Sequence, residues 1–219
     1  VTADVDVEDE MRGVTMDGGR GPMGALLIVV TMAMVAAAGC RDKQPREPRQ
    51  APPAADPQAA ALERASQAAD GLKRGLMRAL TGALREGAPA ALDVCKDQAP
   101  ALAARESVGG VLVGRTSDRL RNPDNAPRGW VKPLLEEYAR TPRADAPPHR
   151  LVELDGGGYG YVEPIYLMGM CTGCHGTAVT PEVTARLEAL YPDDAATGYQ
   201  PDDLRGLIWV EVSPRARRP

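Results

Sequence analysis

The chain has 219 residues, enough for one globular domain with accessory segments, and its composition is ordinary apart from 23 Gly, 20 Pro and no Phe. A net charge of −4, with no basic stripe interleaved with aromatics, argues against a nucleic-acid partner. His149 and His175 are the only histidines, so ligand count alone excludes a multihaem protein or an all-histidine zinc site.

Val1 points to a valine start codon or an upstream-extended gene start, with Met11 and Met16 as other starts. Arg12 and Arg20 precede an apolar run from Ala25 to Ala38. The run is shorter than the roughly 20 residues that span a bilayer, as in a secretory signal peptide. Ala37-Ala38-Gly39-Cys40 resembles a bacterial lipobox, whose cysteine becomes the lipidated first residue after cleavage; Ala37 stands where leucine is preferred. An uncleaved anchor or an ordinary signal peptide is the alternative. Every one of these readings places the remainder of the chain outside the cytoplasm, in the periplasm of a double-membraned cell. Arg41, in place of the aspartate associated with inner-membrane retention, favours the outer membrane. Residues 1–40 are thus expected to be a signal peptide with lipobox, and 41–56 a flexible Pro-rich tether. The folded domain is expected over 57–213.

Asp56-Pro57 is a helix start, with a capping side chain and a first-turn proline. Leu62, Ala65, Ala69, Leu72, Leu76, Ala79 and Ala83 then recur at helical spacing, which predicts a long amphipathic helix ending near Gly87. Its stripe would pack on the domain or on a second copy, making a homodimer through this helix one expectation. A second helix is predicted from Pro89 to about Arg105, with Ala91, Cys95, Ala99 and Leu102 along one side and Cys95 pointing inward. Val108–Arg115 is β-prone, Arg121–Asn125 is turn chemistry and Val131–Arg140 is helical. Leu151–Leu154 and Tyr159–Tyr166 flank Asp155-Gly156-Gly157-Gly158 as a β-hairpin. Thr180-Pro181 opens a short helix to Leu190, and Leu207–Val212 reads as a last strand. Helices first, then antiparallel strands with short helices between, give an α+β domain.

Cys171-Thr172-Gly173-Cys174-His175 carries the chemistry. Two thiols at this spacing reach the two vinyl groups of one porphyrin, and the adjacent histidine ligates the iron. One covalently attached haem c is therefore expected, on Cys171 and Cys174, with His175 as the proximal iron ligand. A thioredoxin-like motif should open a helix after a strand of an α/β fold, whereas this one follows a hairpin. A zinc site of Cys95, Cys171, Cys174 and His175 would need adjacent Cys174 and His175 to converge on one ion.

The second axial position is harder to assign. No methionine follows His175, and Met168 and Met170 are too close to Cys171 to reach the opposite ring face. Cys95 is the thiol left over in a compartment that oxidises idle thiols. Cys95, His149 and an open or water-bound iron are the alternatives. For Cys95 the competing role is that of a small core residue, and for His149 that of a solvated loop residue. Arg115, Arg119 and Arg121 could pair with haem propionates through bidentate guanidinium geometry, or serve instead as ordinary surface charge or in a structural pair with Asp193 or Asp194.

The strings Ala-Leu-Asp-Val-Cys at 91–95, Arg-Thr-Ser at 115–117 and Arg-Asn-Pro-Asp-Asn-Ala-Pro at 121–127 are followed by Cys-Thr-Gly-Cys-His-Gly at 171–176 and Tyr-Pro-Asp-Asp-Ala-Ala-Thr-Gly-Tyr at 191–199. In order and spacing this set resembles a haem-binding, PAS-like family long known only as a domain of unknown function. Its members occur as exported cytochromes and as extracytoplasmic modules of sensor kinases. The resemblance implies a PAS-like antiparallel sheet with long N-terminal helices, and iron held by His175 on one side and Cys95 on the other. Val131 departs from the family pattern, where an acidic residue is expected after Trp130. Thiolate ligation would favour ferric iron. The expected function is low-potential electron transfer or redox sensing with an unidentified periplasmic partner, and not enzymatic catalysis. The alternative is a haem-based gas or redox sensory module acting through a separate partner protein.

Overall fold

The computed structural model describes residues 56–214. The signal-peptide and lipobox expectations, Cys40 included, and nearly all of the tether lie outside them. The first helix, α1 (Pro57–Ala83), begins as its sequence dictates: the Asp56 carboxylate accepts from the Gln58 N–H at 3.0 Å, and Pro57 fills the first turn. Its stripe of Ala65, Ala69, Leu72 and Leu76 is buried against Val113, Tyr161, Ile208, Val210 and Val212. The face expected to serve either the domain or a second copy is therefore occupied within the domain.

The second helix is not continuous. It runs as α2 (Ala88–Asp93), a π-helical turn over Val94–Gln98, and α3 (Ala99–Glu106). The one-side pattern of Ala91, Cys95, Ala99 and Leu102 is consistent with an unbroken helix, and nothing in it marks the wider turn. The turn places Ala91 and Leu92 on one side and Ala99 on the other in buried positions, with Cys95 between them half-buried.

Four strands form one antiparallel sheet: β1 (Val111–Thr116), β2 (Arg150–Leu154), β3 (Gly158–Tyr166) and β4 (Leu204–Val212), in the order β1-β4-β3-β2. The hairpin turn uses Gly156 and Gly157 at φ of 94° and 87°, a conformation that side chains with a Cβ disfavour. On one sheet face lie α1 and α3. On the other lies α4 (Val131–Arg140), whose Val131, Leu135 and Tyr138 pack on Val162, Leu207 and Trp209. Val131 is fully buried in that layer. An acidic side chain there would need a partner, so valine at the departure from the family pattern follows from burial. The local ion pair is made instead by Arg128 and Glu211 at 3.0 Å, and Glu211 also accepts from Trp130 Nε1 at 2.7 Å.

The antiparallel order sets where a site can form. β1 and β3 both finish, and β4 begins, at the same end of the sheet. Beyond that end the chain makes a single helical turn, α5 (Thr172–His175), and then α6 (Pro181–Leu190), capped by the Thr180 hydroxyl. Val183 and Leu187 of α6 join Leu92 and Tyr191 in a small core of their own. Among the described residues no helix is long and apolar enough to cross a membrane. The observed class is α+β, as expected.

Candidate functional site

At this end of the sheet lies a cavity of about 550 Å³, within the range of cofactor sites. Leu76, Met77 and Leu80 of α1, Pro164–Leu167 after β3, and Ile208 of β4 give it apolar walls. The π turn brings Cys95 to one wall, and the C-x-x-C-H turn brings Cys171 and His175 to another. Arg115 and Arg121 also face it. Five of the eight residues weighed from the sequence for haem and iron therefore meet at one cavity. Of the other three, Cys174 sits beside it, packed against the core of Leu92, Val183, Leu187 and Tyr191. Cys40 lies outside the described residues.

His149 is not among the cavity's lining residues. It is exposed at the start of β2 and stacks on Tyr161 with ring centroids 5.4 Å apart. Cys95, Cys171 and Cys174 are free thiols, so the C-x-x-C pair is not a disulfide. Among the described residues no three His, Cys, Asp or Glu side chains converge as a direct metal site. The four-ligand zinc arrangement is accordingly not formed.

His175 is held in a defined state. Its Nδ1 lies 2.6 Å from the Ala196 carbonyl oxygen. A carbonyl only accepts, so Nδ1 carries the hydrogen and Nε2 is left bare to ligate. Burial first, and then the charges of Arg121 and Arg205, push the imidazole pKa down to about 3. The ring is thus neutral throughout the physiological range. Tyr199 stands edge-on to it at 6.4 Å and is itself flanked by the guanidinium of Arg119 at 4.0 Å.

The loop from Tyr191 to Tyr199 latches this turn in place. Tyr199 N–H donates to the His175 carbonyl at 2.9 Å, and Gly198 N–H to that of Gly176 at 2.8 Å. A Cβ on Gly176 would fall 2.5 Å from the Thr172 carbonyl oxygen, so the turn closes only with glycine there. Arg121 secures both segments. It pairs with Asp194 at 3.0 Å, and its Nη2 donates to the carbonyls of Cys174 at 2.6 Å and Ala196 at 3.3 Å. Arg121 thus forms a structural pair with Asp194, while its Nη1 is buried without a partner. Thr116 ties the Arg-Thr-Ser string to the Arg121–Pro127 turn by donating to the Asn125 carbonyl at 2.8 Å. The separated motifs of the sequence are therefore one constellation in space.

Sequence reasoning missed Arg205, which also lines the cavity. No motif marks it, because a bulge in strand pairing aims it. It also missed the Ala196 carbonyl, since a backbone group leaves no signature in residue identity. Arg119, considered with the other two arginines, stays outside the cavity against Tyr199.

Fold and site together define an α+β domain that closes an apolar, cation-lined cavity with a C-x-x-C-H turn. The model of the Tll0287-like family matches residues 58–213, and the chain belongs to that family. Among solved structures, the crystal structure of the cyanobacterial heme-protein Tll0287 is similar, with a TM-score of 0.54 and 22% identity over 75% of this chain and 100% of that one. At that identity the likeness concerns the fold. No curated protein matches the sequence.

Proposed function

We propose that this chain is an exported, lipid-anchored monohaem c-type protein of the periplasm that carries single electrons at low potential or reports redox state. The observation that carries the reading is the cavity itself, with a neutral His175 whose bare Nε2 is fixed by Ala196, and with Cys95 on another wall. The residues present fit a haem. The walls are apolar, and Arg121 Nη1, Tyr166 Oη and Arg205 Nε are buried there without hydrogen-bond partners in the protein. Cys171 and Cys174 would hold the ring through thioethers, and His175 and Cys95 would hold the iron. Bound there, haem would supply a one-electron iron couple, which an anionic thiolate biases toward the ferric state.

The chain's own residues set the conditions for that chemistry. The Ala196 carbonyl fixes the His175 tautomer, and the Arg121–Asp194 pair fixes Ala196. The apolar walls limit water at the ring. A non-enzymatic role belongs to the same proposal; His175 is the cavity's only histidine, and no Asp or Glu lines it. A PAS-like description of the sheet, and membrane attachment through Cys40, belong to the same proposal. The sensory alternative draws support from the π turn that bears Cys95, because such turns are frequent at functional sites and replace the α-helical hydrogen-bond ladder with a wider one.

The test is an optical and EPR spectrum of protein made in cells with cytochrome maturation, compared with Cys95→Ser. The expected result is a low-spin ferric thiolate signal that disappears in the variant while the haem stays covalently attached by mass. A spectrum unchanged by the substitution would return Cys95 to a packing role and leave the second axial position open.

A further inference from the structure

The cavity is unusual in charge as well as in shape. Lys73, Arg74, Arg115, Arg121 and Arg205 line it, and no carboxylate does. Three of these cations have local explanations. Lys73 pairs with Asp70 and Glu163, Arg74 is exposed at the rim, and Arg121 pairs with Asp194. Arg115 and Arg205 have no carboxylate partner. Among the described residues neither forms an ion pair, and although Arg205 Nη1 donates to the Arg119 carbonyl at 3.3 Å, its Nε is buried without a partner. Burial is the main cause that pushes both guanidiniums below their ordinary range.

Arg205 is also placed in the cavity by a specific device. Ile165 pairs with Gly206 and Tyr166 with Leu204, so Arg205 is the extra residue of a β-bulge. A bulge bends its strand and re-aims a side chain. Gly206, at φ of 153°, makes it sterically feasible, since a Cβ there would lie 2.0 Å from the Thr116 carbonyl oxygen. On the neighbouring strand Arg115 immediately precedes Thr116. The fold thus brings two uncompensated guanidiniums to one apolar cavity from adjacent strands.

We propose that Arg205 and Arg115 form a carboxylate receptor, which takes the two propionates of the bound porphyrin and thereby sets its orientation and raises its potential. This inference rests on the haem reading above and deepens it. Two half-buried positive charges without a carboxylate partner suit a dianion, and guanidinium is the cation that binds carboxylate bidentately. Arg205 becomes the principal partner, because the charge of Arg121 is already matched by Asp194.

The experiment uses the haem-loaded protein and its Arg205→Gln, Arg115→Gln and Arg205→Lys variants, with covalent haem verified by mass. Midpoint potentials are read by spectroelectrochemistry, and propionate bending bands by resonance Raman. Each Gln variant should favour ferric iron by roughly tenfold, a fall of about 59 mV for one electron, and should shift a propionate band. Arg205→Lys should recover most of the potential but not the band, because ammonium keeps the charge and loses the fork. Should Arg205→Gln fail to accumulate, the Raman shift in Arg205→Lys and the potential of Arg115→Gln decide. Wild-type potentials and bands in loaded variants would overturn the receptor and leave the haem reading intact. Wild-type protein without covalent haem would overturn both.

Discussion

Arg121 and Asp194 show how much of the site depends on one buried pair. Their side chains are 6% and 9% exposed, and Asp194 Oδ1 also accepts from the Ala196 N–H at 2.8 Å. The carbonyl of that same Ala196 orients His175. Breaking a buried pair from one side leaves a charge without its partner, which costs about 3–5 kcal/mol, whereas removing both ends costs much less. Asp194→Asn should therefore lower the urea-unfolding free energy by that amount, and Arg121→Met with Asp194→Leu should restore a good part of it. Equal and additive losses for the two single changes would show that the residues act independently.

A second buried group makes a prediction about pH. Tyr138 is 2% exposed and donates to the Pro147 carbonyl at 3.0 Å. Burial is the main cause that pushes its phenol from the usual 10 up to about 12. The folded state thus holds the proton more tightly than the unfolded chain does. The corresponding stability is complete below pH 10 and is lost as pH rises through 12, by at most about 3 kcal/mol. Urea titrations across that window should show a shallower alkaline loss for Tyr138→Phe. Some slope will remain, because burial raises Tyr161 and Tyr191 as well. An unchanged slope in the variant would remove Tyr138 from the account.

At the scale of elements the π turn is the most informative piece. Removing one residue from Val94–Gln98 would tighten it to an α-helix and rotate one flank by about 100°. Leu92 on one side and Ala99 on the other are both buried, so either flank has something to lose. Deletion of the exposed Lys96 should cost roughly 2–4 kcal/mol. It should also abolish the Cys95-dependent spectral signal, with haem still held by Cys171 and Cys174. Survival of that signal would mean that Cys95 reaches the cavity without the turn.

The same element shows what was legible in the sequence. Local rules sufficed for Asp56 and Thr180 as helix starts, the Gly156-Gly157 turn, the apolar face of α1 and the helical run of α4. Cys95, Cys171, His175, Arg115 and Arg121 could be gathered because their residue types are chemically distinctive, and all five line the cavity. The π turn and the bulge at Arg205 could not, because each is an irregularity in pairing or register that only tertiary packing rewards. The apolar stripe of α1 shows the opposite limit. Such a stripe says that something covers it but not what, and here the sheet does.

The described residues form two regions with different sources of stability. The sheet, α1 and α4 are held by two apolar cores that include Leu72, Ile208 and Val210 on one face and Val131, Leu207 and Trp209 on the other. The cavity end relies on smaller clusters, one around Leu92 and Leu187 and one of Leu167, Ala196 and Tyr199. Between these regions lies the cavity, with five cations and no carboxylate among its lining residues. A ligand that fills it should stabilise the folded state by mass action and should act mostly on the segments it bridges. Hydrogen exchange of the haem-loaded protein can be compared with a Cys171→Ala/Cys174→Ala chain made without haem maturation. Protection should fall at least tenfold over 88–106 and 167–199, and change little in β4 and the first half of α1. A uniform loss across the sheet would instead mean that the cavity end and the sandwich open as one cooperative unit, with the ligand serving as part of the core for both.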